Sequence, residues 1–177
     1  MVSDRLAAAA LAGLLLGGCG GAAEQSRGAA KPHGACLDVG PADVRQVVHS
    51  GPLKARQQDT VDLTSCRYSG KGVSVRLSID SASQAARRYF NSLTERQQFY
   101  GDDPKLRPRN LKGVGEDEAL GGSAANWVPS TGRLAAYGYE RIVKVDLGVR
   151  GLSDTASRRA AARIGRIAFD RTRRSHD

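Results

Sequence analysis

Two segments of the chain alternate between apolar and polar residues. In Val73 to Asp80, valine, leucine and isoleucine alternate with serine and arginine, and Arg141 to Val149 repeats the pattern with lysine, aspartate and glycine between the apolar positions. Because successive side chains of a strand point to opposite faces of a sheet, each segment predicts a strand with one apolar face. A single polar face favours an antiparallel sheet that is covered on one side.

Three more strands are predicted around these two. Val61 to Tyr68 is expected to pair with Val73 to Asp80 in a hairpin, because the glycines of the intervening Ser69 to Gly72 accept positive φ. Ala124 to Pro129 and Arg133 to Tyr139 are the remaining strands. The segments 53–60 and 101–112 are polar and are predicted to be a loop and a connection.

Helical periodicity appears in three places. Pro41 to His49 carries proline at its first position and three valines on one face, and Gly51 is expected to end it. A helix from Ser81 or Ser83 to about Tyr100 is predicted to bury Ala86, Tyr89, Phe90 and Leu93. A last helix, from Ser153 or Asp154 to about Arg173, turns these residues inward: Ala156, Ala160, Ile164, Ile167 and Ala168.

The order of these elements predicts the fold class. One helix, two strands, a second helix, three strands and a third helix give an α+β domain. We expect an antiparallel sheet of about five strands with the helices packed on one face.

The N-terminus has the features of an export signal. The apolar run Leu6 to Leu16 has eleven residues, which is too short for a bilayer core of about 30 Å but typical of a signal peptide. Leu16-Gly17-Gly18-Cys19 resembles a bacterial lipobox, in which small residues give enzymes access to the backbone and the thiol. Residues 1–18 are therefore predicted to be a lipoprotein signal peptide, and Cys19 the lipidated first residue of the mature chain. The alternative is an ordinary secretory signal with a chance cysteine.

The segment that follows is predicted to be a flexible tether. Residues 19–34 are small and polar without an apolar period, and such a segment has a root-mean-square reach of about 20 Å. Two acyl chains anchor a protein stably where one chain does not. The single domain 35–177 is therefore expected to be extracellular, lipid-anchored at the outer face of the cell membrane.

The number of cysteines is odd. With Cys19 acylated, Cys36 and Cys66 remain, and the oxidising conditions outside the membrane favour their pairing. Of the three possible bridges, only Cys36–Cys66 leaves the lipobox cysteine free. Two separate buried thiols are the alternative.

These features together resemble a family of small actinobacterial lipoproteins that is catalogued as a domain of unknown function. The resemblance rests on the lipobox ending at Cys19, Cys36 before a short helix, Cys66 within a strand, and the segment Gly113 to Ala119 (GVGEDEA). Tyr68 stands where the family often has tryptophan, and Glu116 stands in the place of its usual aspartate. The resemblance implies an extracellular α+β domain with a disulfide and supplies no catalytic residues.

The chain is basic. Its net charge is +9, which favours contact with anionic lipid or an anionic polymer of the envelope. The absence of a nucleic-acid-binding motif argues against nucleic acid as a partner. The last helix supplies the candidate contact residues: Arg158, Arg159, Arg163 and Arg166. An ordinary solvated helix face is the alternative interpretation.

The sequence offers little catalytic chemistry. Among His33, His49 and His176 none has a neighbouring ligand at metal spacing, and no G-x-S-x-G motif is present. The acidic run at 115–118 is interpreted as a turn. We therefore predict a monomeric, non-enzymatic binding or accessory module without metal or cofactor, for another envelope protein, a small ligand or an anionic polymer. An envelope hydrolase, or a sensor or inhibitor holding a partner at the membrane, is the alternative.

Overall fold

The computed structural model describes residues 34–80, 88–89, 91–92, 102–103, 105–117, 122–139 and 141–174. The predicted signal peptide, the tether up to residue 33 and most of the predicted helix 81–100 lie outside the described residues. Within them the fold is α+β, as the order of elements predicted.

The described residues form a seven-stranded antiparallel sheet with the order β1-β2-β3-β7-β6-β5-β4. The strands are β1 (Lys54–Asp59), β2 (Leu63–Gly70), β3 (Val73–Asp80), β4 (Arg109–Asp117), β5 (Gly122–Val128), β6 (Arg133–Gly138) and β7 (Arg141–Val149). The two strands with the strictest alternation, β3 and β7, lie side by side at its centre. The sheet therefore contains all the predicted strands and two more.

The helices α1 (Ala35–Asp38), α2 (Pro41–Val48) and α3 (Asp154–Arg174) pack together on one face of the sheet. That face carries the main core, including Leu77, Leu134 and Val145, which are fully buried. Burial of these aliphatic side chains is the dominant favourable contribution to folding. Helix α3 buries Ala160, Ile164 and Ala168 as predicted, while Ala156 and Ile167 are half-buried.

Two polar segments that the sequence suggested were irregular are in fact strands. The first, 53–60, contains β1, an edge strand whose side chains are mostly exposed. An edge strand pairs with a neighbour on one side only, and neither of its faces has to be buried. It therefore needs no alternation of apolar residues. The second, the supposed turn at 115–118, contributes Gly115–Asp117 to β4, whose pairing with β5 is shifted between Leu111 and Glu116.

The prediction that one face of the sheet stays uncovered was wrong. Tyr89, which is helical like the described residues 88, 91 and 92, is 2 % exposed and packs with Ala135, Tyr137 and Ile142 on the face opposite the main core. Its hydroxyl accepts a hydrogen bond from Asn126 Nδ2 at 2.7 Å, and burial raises the pKa of Tyr89 to about 12. The burial expected of Tyr89 is thus confirmed, but on the other face; Ala86, Phe90 and Leu93 lie outside the described residues.

Helix α2 matches its predicted range, but the residue that terminates it is not the one expected. Val44, Val47 and Val48 are buried, and proline occupies the first turn. The helix ends at His49, which adopts a left-handed conformation (φ 50°), and not at Gly51. The backbone N–H of Ser50 then bonds to the Arg45 carbonyl oxygen, which satisfies one of the last free carbonyls of the helix.

The predicted disulfide is present. Cys36 in α1 is bonded to Cys66 in β2, with their Cα atoms 5.0 Å apart. Beside it, the buried Tyr68 hydroxyl donates to the carbonyl oxygen of Val39, and burial raises the pKa of this phenol. The bridge and the hydrogen bond fix α1 to the sheet. Tyr68, the aromatic residue that follows Cys66, therefore has a structural role.

Candidate functional site

A basic groove runs between β4 and α3. Its volume is about 490 Å³, and its described lining consists of Asn110, Leu111, Lys112, Arg158, Arg159, Ala162, Arg163 and Arg166. The structure thus brings together the four arginines that the sequence singled out and adds Lys112. No carboxylate belongs to this described lining. We call this feature the basic groove.

The packing of α3 explains why its arginines face the groove. Ile164 and Gly165 press against the sheet, and a Cβ atom at Gly165 would lie 2.9 Å from Leu134 Cδ2. Only a residue without a side chain allows this close approach of helix and sheet. Arg159, Arg163 and Arg166 follow at helical spacing on the other side, where they are exposed.

The first turn of α3 is tied to the sheet through a carboxylate. Asp154 Oδ1 accepts a hydrogen bond from the indole Nε1 of Trp127 at 2.8 Å, and Asp154 Oδ2 lies 3.3 Å from Arg109 Nη1. A negative charge at this position is also favoured by the helix dipole. Asp154 is therefore engaged outside the groove, and the charge of the groove arginines is not neutralised by it.

A bulged part of β4 forms the other wall. Gly113 and Gly115 have positive φ angles of 71° and 60°, and a Cβ atom at Gly115 would lie 2.4 Å from the Tyr137 carbonyl oxygen. Both glycines therefore supply the backbone freedom that the bulge requires. The bulge turns the Gly113 carbonyl oxygen toward α3, where Arg166 Nε donates to it at 2.6 Å.

The four arginines consequently differ in their availability. Arg159 and Arg163 are exposed and have no hydrogen bond or ion pair with any other described residue. Arg158 is half-buried, and Arg166 is held by Gly113. The four residues therefore do not form a uniform solvated face. An anion in the groove would meet Arg159 and Arg163 first.

The C-terminal part of α3 uses its arginine differently. Arg171 forms two hydrogen bonds with the Asp43 carboxylate, at 2.7 and 2.9 Å, and a third with the Asp38 carbonyl oxygen. Bonding to Arg171 holds the pKa of Asp43 below its usual value, against the opposing effect of burial. This arrangement, which we call the arginine latch, connects α3 to α1 and α2.

A second cavity, of about 750 Å³, contains His49. Its described lining joins His49 and Ser50 to Lys71 and Arg150 but includes no carboxylate. A serine hydrolase would need an acidic residue to orient the histidine. Across the described ranges, no group of three or more His, Cys, Asp or Glu residues could hold a metal ion.

Sequence reasoning placed the groove arginines but missed the β4 wall. Lys112 had been assigned to a polar connection, because the bulge interrupts the alternation that would have revealed a strand. Cys19 lies outside the described residues. None of the helices in the described part of the chain is long and apolar enough to cross a membrane.

Comparison with known proteins identified no relative: no family model matches the chain, and no match was found among curated proteins or solved structures. Function is therefore inferred from the residues and geometry of the chain itself.

Proposed function

We propose that the protein is a non-enzymatic lipoprotein of the cell envelope, anchored by Cys19 at the outer face of the membrane, whose domain binds an anionic component of that surface. The observation that carries the proposal is the basic groove. Two of its exposed arginines have no partner among the described residues. Each basic residue held near an anionic lipid surface contributes about 1 kcal/mol.

The anchor and the groove support each other. A tether of about 20 Å reach keeps the domain close to the membrane, so that a weak electrostatic contact suffices to set its position. The apolar side of α3 is occupied by the sheet, since Ile164 and Ala168 are fully buried there. The helix therefore offers charge and not an inserting apolar face, which favours contact with headgroups over penetration of the bilayer.

Vesicle binding tests the groove. The chain from residue 20 to 177 is mixed with vesicles of anionic lipid and, separately, with neutral vesicles, and the bound fraction is measured by sedimentation. We expect weak binding to anionic vesicles only, reduced about tenfold by the pair Arg159→Gln and Arg163→Gln. Binding should also weaken between 0.1 and 1 M salt, because the Debye length falls from about 10 Å to about 3 Å.

A matched control removes the same charge elsewhere. Arg45 and Arg150 are exposed and lie outside the groove, so Arg45→Gln with Arg150→Gln should retain most of the binding. Equal losses in the two double variants would show that net charge alone is responsible, and the groove would then have no specific role.

The anchor is tested separately with Cys19→Ala in the full chain expressed in a bacterial host. Labelling with a palmitate analogue should mark the wild-type protein and not the variant, because the thiol is the acceptor. Cell fractionation should find the wild type with the membrane and the variant displaced from it. Equal labelling of both proteins would refute the lipid attachment at Cys19.

A further inference from the structure

The outer face of the sheet, opposite the main core, carries a row of arginines on adjacent strands. Arg56 of β1 is the register partner of Arg67 of β2, which in turn is the partner of Arg76 of β3. We call these residues the arginine row. Their strands place them on the outer face, because the neighbours Cys66, Tyr68, Val75 and Leu77 are buried in the core on the other side.

The members of the row lie close to one another. Directly opposed residues of antiparallel strands have Cβ atoms about 4.5–5.5 Å apart. Arg56 and Arg67 are exposed and Arg76 is half-buried, and none of them is paired with another residue in the described ranges. The next position along the row is Asp146, whose carboxylate is bonded by Arg133 through both Nε and Nη2. The row therefore ends in a pair that is already neutral.

This arrangement is unfavourable for the protein alone. Like charges directly opposite one another on neighbouring strands destabilise a sheet. Serine, threonine or glutamine at these outer-face positions would avoid that repulsion without loss of core packing. A bound anion would remove it, and the guanidinium group binds phosphate in a two-pronged geometry.

From the arginine row we propose a second binding site, for a linear polymer with repeated phosphate groups. The row runs across the strands at the regular spacing of the sheet, about 4.8 Å per strand, and so presents guanidinium groups in a line. Beside it on the same face, Lys54, Ser69 and Ser74 are also in register and exposed. Their ammonium and hydroxyl groups can donate to further phosphate oxygens.

A chain fits this place better than a flat membrane. Ser65 and Ser78, the next outer-face positions along β2 and β3, are 3 % and 9 % exposed. The row therefore borders a covered part of the face. The helical residues near Tyr89 also stand on this face, and a helix with its side chains is about 10 Å thick. A single polymer chain can lie along the uncovered strip, whereas a bilayer would be held away from it.

The site does not depend on the basic groove, which lies on the opposite face, and its test is separate. The full chain in nonionic detergent is titrated with inorganic phosphate, tripolyphosphate and a long polyphosphate, while its melting temperature is recorded. We expect binding to strengthen from the single phosphate to the longer chains, and each bound ligand to raise the melting temperature.

The decisive variant is Arg67→Gln, at the centre of the row. It should weaken polyphosphate binding about tenfold, since one charge-assisted contact is lost. Without ligand it should also raise the melting temperature by about 2 °C, because two like-charge neighbours are relieved. Arg45→Gln removes the same charge from α2 and should change neither polyphosphate binding nor the melting temperature. Arg76→Gln provides a second variant, which should weaken polyphosphate binding to a similar extent. Its melting temperature should change less than that of Arg67→Gln, because Arg76 has Arg67 on one side and Asp146 on the other.

Four outcomes would overturn the proposal. The first is polyphosphate binding that survives both row variants. The second is an equal loss in Arg45→Gln, which would reveal a general effect of net charge. The third is a loss only with Arg159→Gln and Arg163→Gln, which would place the polymer in the basic groove. The fourth is a loss of vesicle binding in Arg67→Gln while polyphosphate binding is unchanged. This result would show that the arginine row binds lipid and not a phosphate polymer.

Discussion

The two ends of α3 use the same residue type for different purposes. At the C-terminal end, Arg171 is bonded to Asp43 and to the Asp38 carbonyl oxygen, and α3 is thereby fixed to the other helices. In the N-terminal half of the helix, Arg159 and Arg163 extend over the basic groove, without a carboxylate among its described lining residues. The arginine latch and the basic groove are about two turns apart on one helix.

The arginines of the latch and of the groove differ in whether an acidic residue lies within bonding distance, and not in the side chain itself. Hydrogen bonds within a bidentate pair are short and directional, so the latch residue has little freedom to bind anything else. An exposed arginine without a partner keeps its donors for a ligand. Binding sites and structural contacts on a basic helix are therefore separated by the positions of the acidic residues around it.

The largest expected effect on stability comes from removing the disulfide. The bridge fixes α1 to the sheet, and α1 in turn contacts the C-terminal end of α3 through the arginine latch. Cys36 and Cys66 are 30 residues apart, and a bridge closing a loop of this size contributes about 3–4 kcal/mol. Replacing both by alanine should lower the melting temperature by about 10 °C, measured by circular dichroism. Vesicle binding by the folded variant should remain that of the wild type.

The variant thus tests whether the two regions are independent. Reduction of the wild-type protein with dithiothreitol should reproduce the loss of stability. A folded double variant that no longer binds anionic vesicles would show that the latched end also shapes the groove, and the comparison would then fail.

Much of the fold could be predicted from local patterns. The central strands β3 and β7 each bury most of one face, so the alternation of apolar and polar residues located them. Helices α2 and α3 were found from the helical spacing of their buried residues. The edge strand β1 was missed because its pairing requires no apolar residue. The covered part of the outer face was missed because the polar Ser78 and Asn126 are buried there by tertiary packing.

The candidate site was predictable only in part. The run of arginines at helical spacing identified one side of the groove, but nothing local distinguished Arg171 from Arg163. The partner of Arg171 is Asp43, which is 128 residues away in the sequence. Likewise, Arg56, Arg67 and Arg76 form a row only through strand pairing, and the first of them was assigned to a loop.

A moderate effect is expected from breaking the arginine latch with Arg171→Gln. Two hydrogen bonds to the Asp43 carboxylate and one to the Asp38 carbonyl oxygen are lost. Because the Arg171 side chain is 40 % exposed, only about 1–2 kcal/mol of stability is expected to disappear at neutral pH. Arg163→Gln, on the same helix, is the matched control and should cost less than about 0.5 kcal/mol. Urea denaturation of the two variants measures the difference, and equal costs would contradict the distinction between latch and groove.

The stability contributed by the latch should also depend on pH. The pKa of Asp43 is lowered in the folded protein from its usual value of 3.8. The stability that ionised Asp43 contributes is therefore complete above pH 3.8 and is lost as the pH falls through the pKa of the folded protein. The stability gap between wild type and Arg171→Gln should narrow below about pH 4. Asp59, whose pKa is lowered by hydrogen bonds from Thr64 and Gln57, is unchanged in both proteins. A gap that stays constant down to about pH 2.5 would exclude the Asp43 carboxylate as its source.

The smallest effect is expected at Arg166, which belongs to the groove but bonds to its wall. Its Nε atom donates to the Gly113 carbonyl oxygen at 2.6 Å, and the side chain is exposed. Arg166→Gln should therefore cost about 0.5–1 kcal/mol, because a hydrogen bond in contact with water contributes little net free energy. This corresponds to a fall of about 2 °C in melting temperature. Arg159→Gln should leave the melting temperature unchanged but weaken vesicle binding more than Arg166→Gln does, since Arg159 is free of such a bond. If the two variants behave alike in both measurements, the bond to Gly113 does not hold the groove wall, and Arg166 belongs with the freely exposed arginines.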